Sequence, residues 1–407
     1  MKILFADAVD ESRVTRLRDA GHDCLVDAAL SADELPEHMA GIEALVVRST
    51  KVSAAAIATA ADLSLIVRAG AGVDNIDVEA ASGRGIYVCN VPGKNAVAVA
   101  ELTMGLLLSI DRRIAESTAD LRAGQWNKKL YSKAEGIYGR RMAIIGLGDI
   151  GLAVAERAKA FGMDVVAIRK PSRDAATTSR IRSVGVRLVD TTEELLRGAD
   201  VISIHVPSAP GTVGLVDAAF LAQLRDCAII LNTARGDVID EAALIAEMNA
   251  RGLRAGLDVW PGEPGQGSAE WSTDLSSHPN VVGTHHVGAS TNQAQEAVAD
   301  GMVEVIDSYE QARLLNCVNL VNRPLGTCVI TVRHLDRVGV LAKVLMALRG
   351  SGLNVQQMHN EVFEGSKAAV ASINVVGAIS EDLRSSISEI DEVLAVSVTE
   401  TGQETSS

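Results

Sequence analysis

Aromatic residues are scarce, at 3% of 407 residues, although hydrophobic residues reach 47%. The cores must therefore rest on aliphatic side chains, a composition suited to buried parallel strands covered by helices. Cysteine is also sparse: Cys24, Cys89, Cys227, Cys317 and Cys328 form no C-x-x-C pair. That spacing excludes a local zinc ribbon or a dense disulfide framework and suits a reducing compartment. No apolar run approaches the ~18 residues of a membrane helix. Positive charge is in deficit, with 38 Lys and Arg against 52 Asp and Glu and a net charge of -14. Nucleic acid is an improbable partner for such a chain, but a local arginine cluster can still hold a small anion. The opening Met1–Asp7 meets an acidic residue too early for a secretion signal, so a cytoplasmic location is expected.

The length calls for two or three compact units. The first stretch alternates short apolar runs with helical patterns, which predicts a parallel sheet with right-handed crossovers. Within it, Glu34–Met39 reads as a helix. Pro92-Gly93 closes this series, and Lys94–Ile114 reads as one long apolar helix. A second alternation begins at Met142 and includes strands at Ala255–Val259 and Val281–His285. Another helix is expected at Thr291–Gln311; if it packs back on the first series, that lobe is discontinuous in sequence. Asn322–Gly326 reads as a linker. Beyond it, residues 327–399 run strand, helix, strand, strand, helix, strand, the ferredoxin-like pattern.

Gly146-Leu147-Gly148-Asp149-Ile150-Gly151 lies between an apolar strand and a helix, the context a dinucleotide-binding loop needs. The first glycine permits the tight turn and the second lets a pyrophosphate approach the backbone. The third brings helix and strand together, and the helix N-terminus faces the anion. A carboxylate normally ends the next strand to bind the ribose hydroxyls. Here the strand ends in Arg169-Lys170-Pro171-Ser172-Arg173. Arg169, Lys170 and Arg173 suit the extra phosphate of NADP; the plainer alternative is a solvated basic turn.

Arg235, Glu263 and His286 each fall at or just past a predicted strand end. In an open parallel sheet that places all three at one cleft, although any one alone would more often be structural. With these residues in view, the sequence as far as about Arg323 resembles the D-isomer-specific 2-hydroxyacid dehydrogenase family. The resemblance implies an α/β architecture with a Rossmann-type nucleotide-binding domain at 98–286. It would be inserted in a flavodoxin-like substrate domain, 1–97 and 287–320. It also implies NAD or NADP as cofactor, Arg235 on the substrate carboxylate and carbonyl, and Glu263 supporting His286 as acid/base. The chemistry agrees: a histidine beside a carboxylate donates a proton near neutral pH, and an arginine fork orients a 2-oxo acid. His285 receives no catalytic role. Around the glycine loop, the resemblance adds Val206, Pro207, Thr233, Ala234, Asp258 and Gly288 as cofactor contacts. It places Arg48, Ser49, Arg68, Gly70, Ala71 and Gly72 against the substrate. Relatives often carry threonine at Ala71, which implies one cofactor contact fewer.

Within the family the resemblance is strongest to the branch that oxidises 3-phosphoglycerate to 3-phosphohydroxypyruvate, opening serine synthesis. Arg48 and Arg68, with Lys133, are candidates for holding the phosphate of such a phosphorylated hydroxy acid; basic residues solvated at a lobe surface are the alternative. Residues 327–400 resemble an ACT domain. That likeness implies L-serine as an effector held by His334, Asp336 and Asn354, against a dimerisation module without ligand. A homodimer or homotetramer is implied. Two alternatives stand: a glyoxylate or hydroxypyruvate reductase, and a non-catalytic nucleotide-sensing regulator.

Overall fold

A computed structural model describes residues 1–171, 173–265, 268–321 and 325–401. The chain divides into two compact units, Met1–Asn319 and Leu320–Ser407.

The first unit holds two parallel sheets. One comprises β1 (Lys2–Phe5), β2 (Asp23–Val26), β3 (Ala44–Val47), β4 (Leu65–Arg68) and β5 (Tyr87–Asn90), in the order β2-β1-β3-β4-β5. β3, Ala-Leu-Val-Val, is fully buried, as continuous apolar runs must be when helices cover both faces. The other sheet comprises β6 (Arg141–Ile145), β7 (Asp164–Ile168), β8 (Arg187–Val189), β9 (Val201–Ile204), β10 (Ile229–Asn232), β11 (Arg254–Leu257) and β12 (Val281–Gly283). Its order is β12-β11-β10-β9-β6-β7-β8. The first order is flavodoxin-like, and the second is the doubly wound Rossmann arrangement, whose strand order reverses beside the first strand.

The helix Asn292–Glu310 returns the chain to the first sheet. Thr291 caps it, accepting from the Ala294 N–H at 3.1 Å. Its Met302, Val303, Val305 and Ile306 pack into one core with Ile3, Phe5, Val46 and Val67. The first sheet is therefore covered by a helix that follows the whole second sheet in sequence.

Four elements differ from expectation. The apolar helix spans only Ala96–Arg112, because Arg113 turns left-handed (φ 52°) and a second helix, Ile114–Arg122, follows. Arg113 stacks 5.5 Å from the Tyr131 ring centre. The segment around Pro36 forms a 3-10 turn, Leu35–His38, with the proline in its first turn. β11 and β12 end early, at Leu257 and Gly283. Asp258 then collects the loop that follows β12.

The second unit contains β13 (Cys328–Leu335), β14 (Val355–Val362), β15 (Ala368–Val375) and β16 (Val393–Glu400), with helices Val340–Gly350 and Glu381–Ser388. The antiparallel order β14-β15-β13-β16 is ferredoxin-like. Ile330, Val332, Val344, Ile373 and Ile387 form its core.

Candidate active site

The carboxyl ends of both parallel sheets border one cleft of about 1760 Å³. Arg48, Ser49, Arg68, Gly70, Ala71 and Gly72 line it from the first lobe. Ile150, Val206, Pro207, Thr233, Ala234, Arg235, Asp258, Glu263, His286 and Gly288 line it from the rest of the first unit. Gly146, Gly148, Asp149, Gly151 and Arg169 are not among the lining residues.

The centre of the cleft is a histidine–carboxylate pair. His286 Nδ1 bonds Glu263 Oε1, while Glu263 Oε2 accepts from the Trp260 N–H at 2.9 Å. The hydrogen bond to Glu263 raises the His286 pKa against the opposing effect of burial. Burial works against the Glu263 charge, but His286, the Trp260 N–H and Arg235 together hold its pKa below the ordinary range. His286 adopts φ 52°, a conformation that the surroundings must enforce. Buried Asp258 enforces it. The backbone carbonyl of Asp258 accepts from the His286 N–H at 2.7 Å. Its carboxylate accepts from the N–H groups of Val287 and Gly288 at 2.9 and 2.8 Å and from the Thr284 hydroxyl at 2.5 Å. Asp258 is thus a clamp on the histidine turn, with both oxygens engaged within the chain.

Two further histidines line the cleft. His205 bonds Ser203 Oγ at 2.7 Å, and burial pushes its pKa down to about 3. It is neutral at physiological pH and a poor proton donor. The His285 side chain makes no hydrogen bond or ion pair among the described residues. His286 is the histidine with a carboxylate behind it.

Arg235 extends from the turn after β10. Asn232 holds that turn, donating to the Arg235 carbonyl at 2.9 Å and accepting from the Ala234 N–H at 3.0 Å. The guanidinium crosses to the first lobe, where Nε and Nη2 donate to Asp74 Oδ2 at 2.9 and 2.7 Å. Nη1 donates to the Ala234 carbonyl at 2.7 Å. A Cβ at Gly72 would lie 2.4 Å from Arg235 Nη2, so a side chain there would displace the guanidinium. The sequence pattern assigns Asp74 no role, since an acid four residues beyond a glycine is ordinary loop composition.

In the first lobe, the Asp7 carboxylate accepts from the N–H groups of Arg48, Ser49 and Thr50 at 2.7, 3.1 and 3.1 Å. Those amides shape the loop and are not free for a ligand. Arg68 is different. Its Nε is buried without a hydrogen-bond partner. Burial, then repulsion from Arg235, lowers its pKa. A half-buried guanidinium with an unpartnered Nε suits an anion.

The glycine loop fits a dinucleotide. Gly146 has φ 93°, and a Cβ there would lie 2.2 Å from the His205 carbonyl oxygen. At Gly151 it would lie 2.0 Å from the Gly146 oxygen, which explains the close approach of helix and strand. Gly148 opens on free space and caps the helix Asp149–Ala160 with no side-chain bond, leaving its first N–H groups for an anion. Asp149 lies 3.7 Å from Arg180. At the end of β7, Arg169 Nε donates to Asp190 at 2.8 Å, and Arg173 donates to the Ile168 carbonyl at 3.1 Å. Ser172 lies outside the described residues.

In the second unit, buried His334 uses both ring nitrogens internally, with Leu335 O at 2.8 Å and Asn360 Oδ1 at 3.1 Å. Asp336 and Asn354 are exposed.

The family model for the D-isomer specific 2-hydroxyacid dehydrogenase, NAD binding domain, matches residues 104–288. The chain is 41% identical over 328 residues to a D-3-phosphoglycerate dehydrogenase of Methanocaldococcus jannaschii, covering 80% of this chain and 60% of that protein. It is 43% identical over 281 residues to a hydroxypyruvate reductase of Thermotoga maritima, covering 68% of this chain and 88% of that protein. The TT0316 protein from Thermus thermophilus superimposes with a TM-score of 0.68 at 33% identity, over 78% of this chain and all of that one. The chain thus spans only about 60% of the length of the phosphoglycerate dehydrogenase it matches. By these matches the chain belongs to the D-isomer specific 2-hydroxyacid dehydrogenases.

Proposed function

We propose that this chain is an NAD(P)-dependent D-3-phosphoglycerate dehydrogenase, interconverting 3-phosphoglycerate and 3-phosphohydroxypyruvate. The observation that carries the reading is the convergence of the His286–Glu263 pair with Arg235 and the unpartnered Arg68 on one cleft. A dinucleotide held over Gly146–Gly151 at the start of the helix Asp149–Ala160 would supply or accept the hydride at the substrate carbon. Glu263 occupies Nδ1 of His286, which leaves Nε2 to give the proton to the carbonyl oxygen in reduction or take it from the hydroxyl in oxidation. Arg235 releases part of its hold on Asp74 to bind the substrate carboxylate. Arg68, with Arg48, neutralises the phosphate. The proposed lobes are a substrate domain, 1–97 and 287–320, and a nucleotide domain, 98–286. Residues 327–400 form an ACT-type regulatory unit that binds L-serine. Edge strand β14, with exposed Met358 and Val362, supports pairing with a second copy in a homo-oligomer.

The hydroxypyruvate reductase relative, covered over 88% of its length, favours a second reading in which the unphosphorylated oxo acid is the substrate. Initial rates with 3-phosphoglycerate, 3-phosphohydroxypyruvate, hydroxypyruvate and glyoxylate decide between them. A higher kcat/KM for hydroxypyruvate than for its phosphate ester would overturn the first. Arg169 at the end of β7 supports acceptance of NADP, with Asp190 competing for its guanidinium. If so, Arg169→Ala raises KM for NADPH and leaves that for NADH unchanged; equal effects on both would remove the idea.

A further inference from the structure

Two cysteines that the sequence keeps far apart meet at the edge of the first sheet. β5 is an outer strand there. After the helix Asn292–Glu310, Asn316 turns left-handed (φ 52°) and the chain runs antiparallel beside β5, with Cys317 bridged to Cys89. The flanking hydrogen bonds are Asn90 N–H to Asn316 O at 3.2 Å and Val318 N–H to Val88 O at 2.8 Å. Bonds on both sides and none between the two residues define a non-hydrogen-bonded pair, whose Cα atoms stand about 4.5 Å apart. That lies within the range of about 4.4–6.8 Å that a disulfide spans. Asn319 anchors the segment, accepting from the Val88 N–H at 2.9 Å and donating to the Ile86 carbonyl at 2.8 Å. Cys89 and Cys317 are both free cysteines in the structure.

We propose that Cys89 and Cys317 are a reversible redox pair, oxidised by a peroxide to a disulfide that fastens the end of the first unit to its own sheet. The two sulfurs have different parts. Cys89 is fully buried, and burial with the neighbouring thiol pushes its pKa up to about 12, so it is not the first nucleophile. Cys317 is partly exposed, and its Sγ lies 3.2 Å from Asn319 Oδ1. The Cys317 thiolate attacks one peroxide oxygen; the S–O bond forms, the O–O bond breaks and the departing hydroxide leaves as water after taking a proton. The Cys89 sulfur then attacks the sulfenic sulfur of Cys317. The S–S bond forms, the S–O bond breaks and the hydroxyl departs with the Cys89 proton as a second water. The sulfurs lose two electrons and the peroxide gains them. A thiol reductant reverses the step by exchange.

The linkage matters because β5 also supports the cleft: Asn90 Nδ2 donates to the Ala71 carbonyl at 2.5 Å, and the Val91 N–H donates to Gly70 O at 2.9 Å. The disulfide would bind the segment carrying Cys317 to that strand through any local opening of the sheet edge.

The test uses the full chain treated with stoichiometric hydrogen peroxide, then alkylated under denaturing conditions, digested and mapped by mass spectrometry. The expected product is a peptide pair joined through Cys89 and Cys317, released by dithiothreitol and absent from Cys317→Ser. The unfolding midpoint should rise on oxidation in the wild type and not in that variant. Oxidation confined to exposed Cys227, or Cys317 carried to sulfinic acid while Cys89 alkylates as a free thiol, would overturn the proposal.

Discussion

Replacing Glu263 by glutamine keeps the shape of the pair but removes its charge, and the two reaction directions should respond with opposite sign. Reduction needs His286 protonated, so its kcat/KM falls as pH rises through the His286 pKa; oxidation needs it neutral and rises over the same range. Glu263 raises that pKa, so Glu263→Gln moves both limbs to lower pH. Reduction then loses on its limb while oxidation gains. The side chains of His286 and Glu263 are 47% and 28% exposed, so water screens the pair and its worth is about 1 kcal/mol, or about fivefold in rate on the limb. The same pair sets a stability window. His286, raised above its ordinary 6.5, contributes stability that is fully present below 6.5 and lost as pH rises through the raised value. Glu263, held below its ordinary 4.5, contributes above 4.5 and loses it as pH falls through the depressed value. The assay is kcat/KM against pH for both directions, wild type beside variant. An equal loss in both directions at every pH, with unmoved limbs, would refute the electrostatic account and leave only a structural defect.

Three other substitutions probe the cleft and the glycine loop. His286→Asn should lower turnover by at least about 100-fold, the low end of general acid–base contributions, while dinucleotide binding measured by fluorescence titration is retained. Asp74→Asn frees Arg235 from an exposed ion pair worth up to about 1 kcal/mol, so KM for the oxo acid should fall by up to about fivefold. A raised KM would instead make Asp74 an orienting partner of Arg235. Gly146→Ala places a Cβ against the His205 carbonyl at a φ of 93°. It should cost about 1–3 kcal/mol of stability, read from denaturant midpoints, and weaken dinucleotide binding.

Much of this molecule is legible in the chain by itself, because local physics decides it. Buried parallel strands need continuous aliphatic runs, so Ala44–Val47 and Asp164–Ile168 declare themselves. The tight turn before the helix Asp149–Ala160 needs glycine at 146 and the packing of that helix needs it at 151, and their spacing with Gly148 is visible without a structure. Arg235, Glu263 and His286 stand out because each follows a strand end, where an open parallel sheet places its ligands. Tertiary structure decided what depends on approach from a distant segment. It alone paired Asp74 with Arg235, set Asp7 under the Arg48–Thr50 turn and made Asp258 the clamp that holds His286 left-handed. It also left the Arg68 Nε buried without a partner and placed Cys317 against Cys89. These contacts are set by how sheets and helices close on one another, and no spacing along the chain encodes that distance.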